Sequence, residues 1–173
     1  MRSLVIGAVC VVLLMPALGV AGDEGDYAVR EKAVVRPEVV PDKASIYIVR
    51  PAKLGMAIRM WAFADDTVLG LTKGDTYAHA YLEPGTYTFW ARAENVSAVV
   101  HTVEAGKTYF LKQAVRMGGL KARVEIGFLS DEEGEKVLDK CNQFSTLTDS
   151  GRARAAEIAA EKLETAKEKA DDR

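Results

Sequence analysis

From Ala44 to Leu129 apolar side chains return at every second residue, in short runs separated by turn residues. Period two is the spacing of side chains on one face of a β-strand. Ile46 and Ile48 alternate with Ser45 and Tyr47. Trp61 and Phe63 share a side with Arg59, opposite Ile58 and Met60. Ala78, Ala80 and Leu82 line one side of Thr76–Leu82, and Tyr87, Phe89 and Ala91 line one side of Thr86–Ala93. Tyr109, Leu111 and Val115 repeat the pattern, and Val124, Ile126 and Phe128 close it.

The punctuation is turn chemistry. Asp65-Asp66, Lys73-Gly74-Asp75, Glu83-Pro84-Gly85, Glu94-Asn95, Glu104-Ala105-Gly106-Lys107 and Gly118-Gly119 separate the runs. Proline presets φ and glycine accepts positive φ at such places. About seven to eight short strands at this spacing predict a mainly β fold, an antiparallel β-sandwich of immunoglobulin-like or transthyretin-like kind. No helical pattern lies between the runs, which excludes an alternating α/β sheet. A membrane barrel needs a continuous lipid-facing apolar side. Here Arg59, Arg92, Lys112, Arg116, Lys121 and Arg123 stand among the strands, so the apolar face is an interior.

The flanks read differently. Arg2 precedes the apolar run Leu4–Met15, Pro16 breaks it, and Gly19-Val20-Ala21 is followed by Asp23, Glu24 and Asp26. This is the order of a secretory signal peptide, residues 1–21, with cleavage expected after Ala21. The alternative is an uncleaved N-terminal anchor. Residues 22–43, with Pro37 and Pro41, show no sustained period and are expected to be an extended linker. The sandwich domain is assigned to residues 44–141. It ends in a short helix to about Cys141, which Ser130 and Glu133 open as a capping box and whose Val137, Leu138 and Cys141 share one side. Residues 142–173 are expected to be a loop and a polar helical tail, because Ile158 and Leu163 are its only large apolar residues after Ser150.

The order of segments across Ala44–Cys141 resembles the DUF2846 family, a domain of unknown function in bacterial envelope proteins. The resemblance rests on Ala44-Ser45-Ile46-Tyr47-Ile48-Val49-Arg50-Pro51 as the opening strand, Lys73-Gly74-Asp75-Thr76-Tyr77, Leu82-Glu83-Pro84-Gly85-Thr86-Tyr87 and Glu104-Ala105-Gly106-Lys107-Thr108-Tyr109. Val49 stands where that family commonly has an aromatic. Single segments of this kind also occur in PEGA-like and transthyretin-like modules. The resemblance implies an exported sandwich and carries no catalytic residues.

Little else in the chain points to chemistry. The net charge is -2, which excludes a generally basic nucleic-acid grip or polybasic membrane patch. Cys10 lies in the leader, so the mature chain keeps Cys141 alone, expected as a small buried hydrophobe. His79 and His101 sit in no triad, elbow or zinc spacing. Asp65-Asp66 and Asp131-Glu132-Glu133 lack calcium-loop spacing and read as a turn and a helix start. Lys73-Gly74 and Gly106-Lys107-Thr108 lack the rest of a phosphate loop. Asn95-Val96-Ser97 is a glycosylation sequon only in a eukaryotic secretory host. No cofactor or metal is expected.

One constellation suggests a ligand face. Tyr77, His79 and Tyr81 point away from the core on one strand, and Trp90 and Arg92 do so on the strand after Pro84-Gly85. If those strands pair, the five form an aromatic face able to stack a sugar ring. The competing expectation is that the Val137-Leu138 helix or the linker covers it as a second core. The functional expectation is a non-catalytic exported envelope or periplasmic module with a binding or structural role, its partner another envelope protein or a glycan. The alternatives are a small-ligand binder using that face and, ranked last, an enzyme.

Overall fold

The computed structural model describes residues 27–32, 35–51, 55–117 and 122–172. The leader and the Gly118-Gly119 turn lie outside the described residues. Ten strands and two helices follow in the order β1 (Ala28–Glu31), β2 (Ala44–Arg50), β3 (Met60–Ala64), β4 (Thr67–Thr72), β5 (Thr76–Leu82), β6 (Gly85–Arg92), β7 (Val96–Val103), β8 (Thr108–Met117), β9 (Ala122–Leu129), α1 (Asp131–Leu138), β10 (Gln143–Leu147) and α2 (Asp149–Asp171).

The strands make a β-sandwich. One sheet has the order β1-β10-β5-β2-β8-β9 and the other β4-β3-β6-β7. Most neighbours are antiparallel, but β10 runs parallel to β5 and β2 parallel to β8. The alternation holds strand by strand. Ile46, Ile48, Met60, Ala62, Ala78, Leu82, Phe89, Ala91, Leu111, Val124 and Ile126 meet between the sheets.

The outer faces are covered as well. Trp61, Phe63, Leu71, Trp90 and Ala98 of the four-stranded sheet pack under α2 through Ala155, Ile158, Ala159 and Ala166. Tyr47, Val49, Tyr77 and Phe110 of the six-stranded sheet pack under α1 with Leu138 and Cys141, joined by Val137 and Phe144. The molecule therefore has four layers, helix on sheet on sheet on helix, with three apolar cores. Each large side chain buried in them contributes about 1.5–3 kcal/mol.

Three flanking expectations change. The helix after Ser150 is not a solvated tail, because its alanines let the backbone approach large rings supplied by the sheet. The segment after α1 is not all loop, since β10 joins β5 and β1 there. The linker is not loose: it contributes β1, and residues 35–40 cross the outer face of the six-stranded sheet. Ser130 caps α1 as expected, accepting from the Glu133 N–H at 3.4 Å, but the Glu133 carboxylate returns to the Ser130 hydroxyl, which donates to its Oε2 at 3.2 Å, and not to the backbone N–H of a full capping box.

The edge of β9 is closed by side chains. Asn95 Oδ1 accepts from the Val124 N–H at 2.6 Å, its Nδ2 donates to the Val124 carbonyl at 3.1 Å, and Ser97 Oγ accepts from the Ile126 N–H at 3.4 Å. Both polar residues of the Asn95-Val96-Ser97 triplet thus tie β7 to β9 and blunt a free edge.

Candidate functional site

The five residues expected on one face are divided between two sheets. The Glu83-Pro84 turn does not close a hairpin: β5 stays in the six-stranded sheet, whereas β6 pairs with β3 and β7 in the other. Tyr77, His79 and Tyr81 therefore look out from one side of the sandwich, and Trp90 and Arg92 from the opposite side.

Trp90 is fully buried beneath α2. Its ring stacks on Phe63 at 4.1 Å, and its indole N–H donates to the Asp65 carbonyl at 2.8 Å. Asp65, with φ +48°, also accepts from the Thr88 N–H at 3.0 Å, so the β3–β4 turn is pinned to β6. Arg92 is half-buried beside the same layer. Trp90 is covered by α2, whereas Arg92 keeps part of its surface exposed.

On the other side the linker acts as a strap. The Tyr77 hydroxyl accepts from the Val35 N–H at 2.6 Å and donates to the Val35 carbonyl at 2.8 Å. The Tyr81 hydroxyl donates to the Glu38 carbonyl at 2.5 Å. Between them Arg36 reaches α1, donating to Glu135 at 2.6 Å and Asp139 at 2.5 Å. Strap and helix together cover Tyr77, as the competing expectation had it.

His79 lies between those anchors. Its Nε2 is 2.7 Å from Ser45 Oγ, and its ring contacts Tyr47 at 4.7 Å and Tyr81 at 4.6 Å. Burial pushes its pKa down to about 4, so the imidazole is neutral at physiological pH. A Ser–His pair at this distance has the form of a nucleophile and base. Here the Ser45 hydroxyl belongs to a residue only 1% exposed, and among the described residues no carboxylate hydrogen-bonds the ring.

One opening runs along β8 and β9, lined by Lys112, Arg116 and Glu125; another lies at the far end of β7, beside the Glu104-Ala105-Gly106-Lys107 turn. His101 is on the core-facing side of β7, stacked on Phe128 at 4.1 Å and edge-on to Tyr109 at 5.6 Å. Phe89 meets Phe128 at 4.9 Å below them. Burial holds the His101 imidazole below its ordinary pKa. Above these rings a groove of about 650 Å³ is lined by Thr102, Glu104, Lys107, Thr108 and Asp131. Tyr109 Oη accepts from the Glu104 N–H at 3.0 Å, which leaves its own proton available at the rim. The sequence signal for this groove was a histidine on the core-facing parity of its strand, between Val99 and Val103.

Cys141 is buried with its thiol pushed up to about 11, first by burial, which makes it unreactive. Among the described residues no cluster of three or more His, Cys, Asp or Glu could hold a metal, and no helix is long and apolar enough to cross a membrane.

No protein-family profile matches the chain, and no solved structure matches it. It is similar to an uncharacterized protein of Haemophilus influenzae, 26% identical over 105 residues. The match covers 59% of this chain and 62% of that protein, less than two thirds of the relative's length.

Proposed function

We propose that this chain is a non-catalytic module of the cell envelope that binds or braces a partner after export. The order of charge, apolar run and small residues in the first twenty-one positions supports export, and the segments quoted above keep the resemblance to DUF2846 as its family reading. The observation that carries a binding role is the division of labour among aromatic residues. Trp61, Phe63 and Trp90 pack under α2 and Tyr47, Tyr77 and Phe110 under α1, while His101 and Tyr109 line an open, charge-rimmed groove.

Two measurements test this. Fractionation with N-terminal sequencing should find the protein outside the cytoplasm, beginning at Gly22; a cytoplasmic chain beginning at Met1 overturns export. A photocrosslinker at Thr102 should give a discrete adduct in cells that one on the β3–β4 turn, at Asp66, does not. Hydrolytic turnover abolished by Ser45→Ala or His79→Ala would instead make the protein an enzyme.

A second reading, a small polar ligand such as a glycan, is favoured by the aromatic floor and the Glu104 and Asp131 carboxylates at the rim. Calorimetric titration with glycan fragments tests it, with heat expected from the wild type and none from Tyr109→Ala. Tryptophan quenching does not report on that groove, because both tryptophans lie beneath α2.

A further inference from the structure

The far corner of the sandwich gathers three positively charged side chains. Trp61 on β3 stands opposite Leu71 on β4, and Met60 opposite Thr72. Continuing that register one residue past the strands brings Arg59 opposite Lys73. Arg30 on β1 stands opposite Ser145 on β10, and Ser145 donates to the Leu71 carbonyl at 2.6 Å. Arg30, Arg59 and Lys73 each lie two residues beyond a member of the core under α2, namely Ala28, Trp61 and Leu71. Side chains two apart share a face, so the three cations extend from one end of the same layer.

Among the described residues no ion pair joins Arg30, Arg59 or Lys73 to a carboxylate, although the β3–β6 register, with Trp61 opposite Arg92, brings Glu94 opposite Arg59 two residues on. Glu31 alternates to the other face of β1. Asp75 is held by Asn142 at 2.8 and 3.0 Å. Arg30 has one weak bond, from Nη1 to the Ala28 carbonyl at 3.4 Å, and its buried Nε has no partner. Burial, and then the charge of Arg59, hold its guanidinium below the ordinary arginine value. Two arginines placed together with an unsatisfied buried donor are costly unless an anion joins them. Arg30, Arg59 and Lys73 are all half-buried, so none of the three is sealed from solvent.

We propose that Arg30, Arg59 and Lys73 form an oxyanion site for a phosphate group, its oxygens received by the guanidinium forks and the ammonium. Guanidinium groups suit phosphate because their fixed donors match its oxygens two at a time. The Arg30 Nε is then satisfied by the ligand.

The test is thermal unfolding of the full chain with inorganic phosphate replacing chloride at constant ionic strength. A ligand bound by the folded state raises Tm with the logarithm of its concentration. Wild type should show that saturable rise, and Arg30→Met/Arg59→Met should lose it while being no less stable in chloride. Lys73→Met keeps both arginines in place and should weaken phosphate roughly tenfold, the loss of one charged hydrogen bond. An equal rise in wild type and variants is the general salting effect of phosphate and overturns the site. So does a double variant that is destabilised in chloride when Lys73→Met responds to phosphate like wild type. Vesicles of phosphatidylglycerol against phosphatidylcholine identify the source: retention lost in Lys73→Met assigns a lipid headgroup, and no retention with an intact phosphate response assigns a soluble phosphate.

Discussion

Replacing Ile158 with alanine separates a docked α2 from a solvated one. Ile158 is 1% exposed and sits in the layer with Trp61, Phe63 and Trp90. Truncation removes three carbons from a packed site, for which losses of about 2–5 kcal/mol are usual. Alanine is the better helix former by a few tenths of a kcal/mol, so the net loss should be about 2–4 kcal/mol. At roughly 2–4 °C per kcal/mol for a chain of this size, Tm should fall by about 5–15 °C. The assay is urea unfolding followed by tryptophan emission. Both tryptophans of the chain lie under α2, so the signal reports the layer under test. Ala160→Ser, on the exposed side of the helix, is the control and should stay within about 0.5 kcal/mol. A loss below about 0.5 kcal/mol for Ile158→Ala, with unchanged emission, would refute the docking of α2.

Tyr77→Phe should cost about 1–3 kcal/mol by leaving the Val35 N–H without its partner, and the Val35 amide should exchange faster with deuterium. Gly134→Ala should destabilise by about 1–3 kcal/mol although alanine favours helix; its Cβ would run into the Phe110 ring, and equilibrium unfolding checks the sign. The depressed pKa of His79, about 4 against an ordinary 6.5, means that the unfolded chain binds the extra proton first as pH falls. Stability should thus be full above pH 6.5 and decline toward pH 4 by as much as roughly 3 kcal/mol. His101 is lowered in the same direction, and His79→Gln should flatten the part of that slope due to His79.

What was legible in the sequence was local. Alternation assigned Ile46, Phe89, Leu111 and Val124 to the inter-sheet core, and Ser130 with Glu133 marked the start of α1. What failed depended on which strand a segment joins after it turns. Pro84-Gly85 reverses the chain at a place any pattern would mark, but β6 is drawn to β3, where Phe63 and Trp90 stack, and so leaves β5. That choice moved Trp90 and Arg92 to the opposite side from Tyr77, His79 and Tyr81. The docking of α2, expected only as a polar helical tail, escaped notice because alanines carry little hydrophobic signal; the area they bury is on the rings beneath. The strap was hidden for a related reason. Val35 and Glu38 are held through backbone atoms, which every residue type possesses.

The pairing of β1 with β10 sets the order in which the protein can be finished. Some hundred residues separate these strands, and the helix that seals the layer above them comes later still. A chain delivered from its N-terminus, by ribosome or by translocation pore, holds β1 unmatched until residue 147 emerges. Completion of the six-stranded sheet is therefore a late event, after the pairing of β2 with β5 and β8 has become possible.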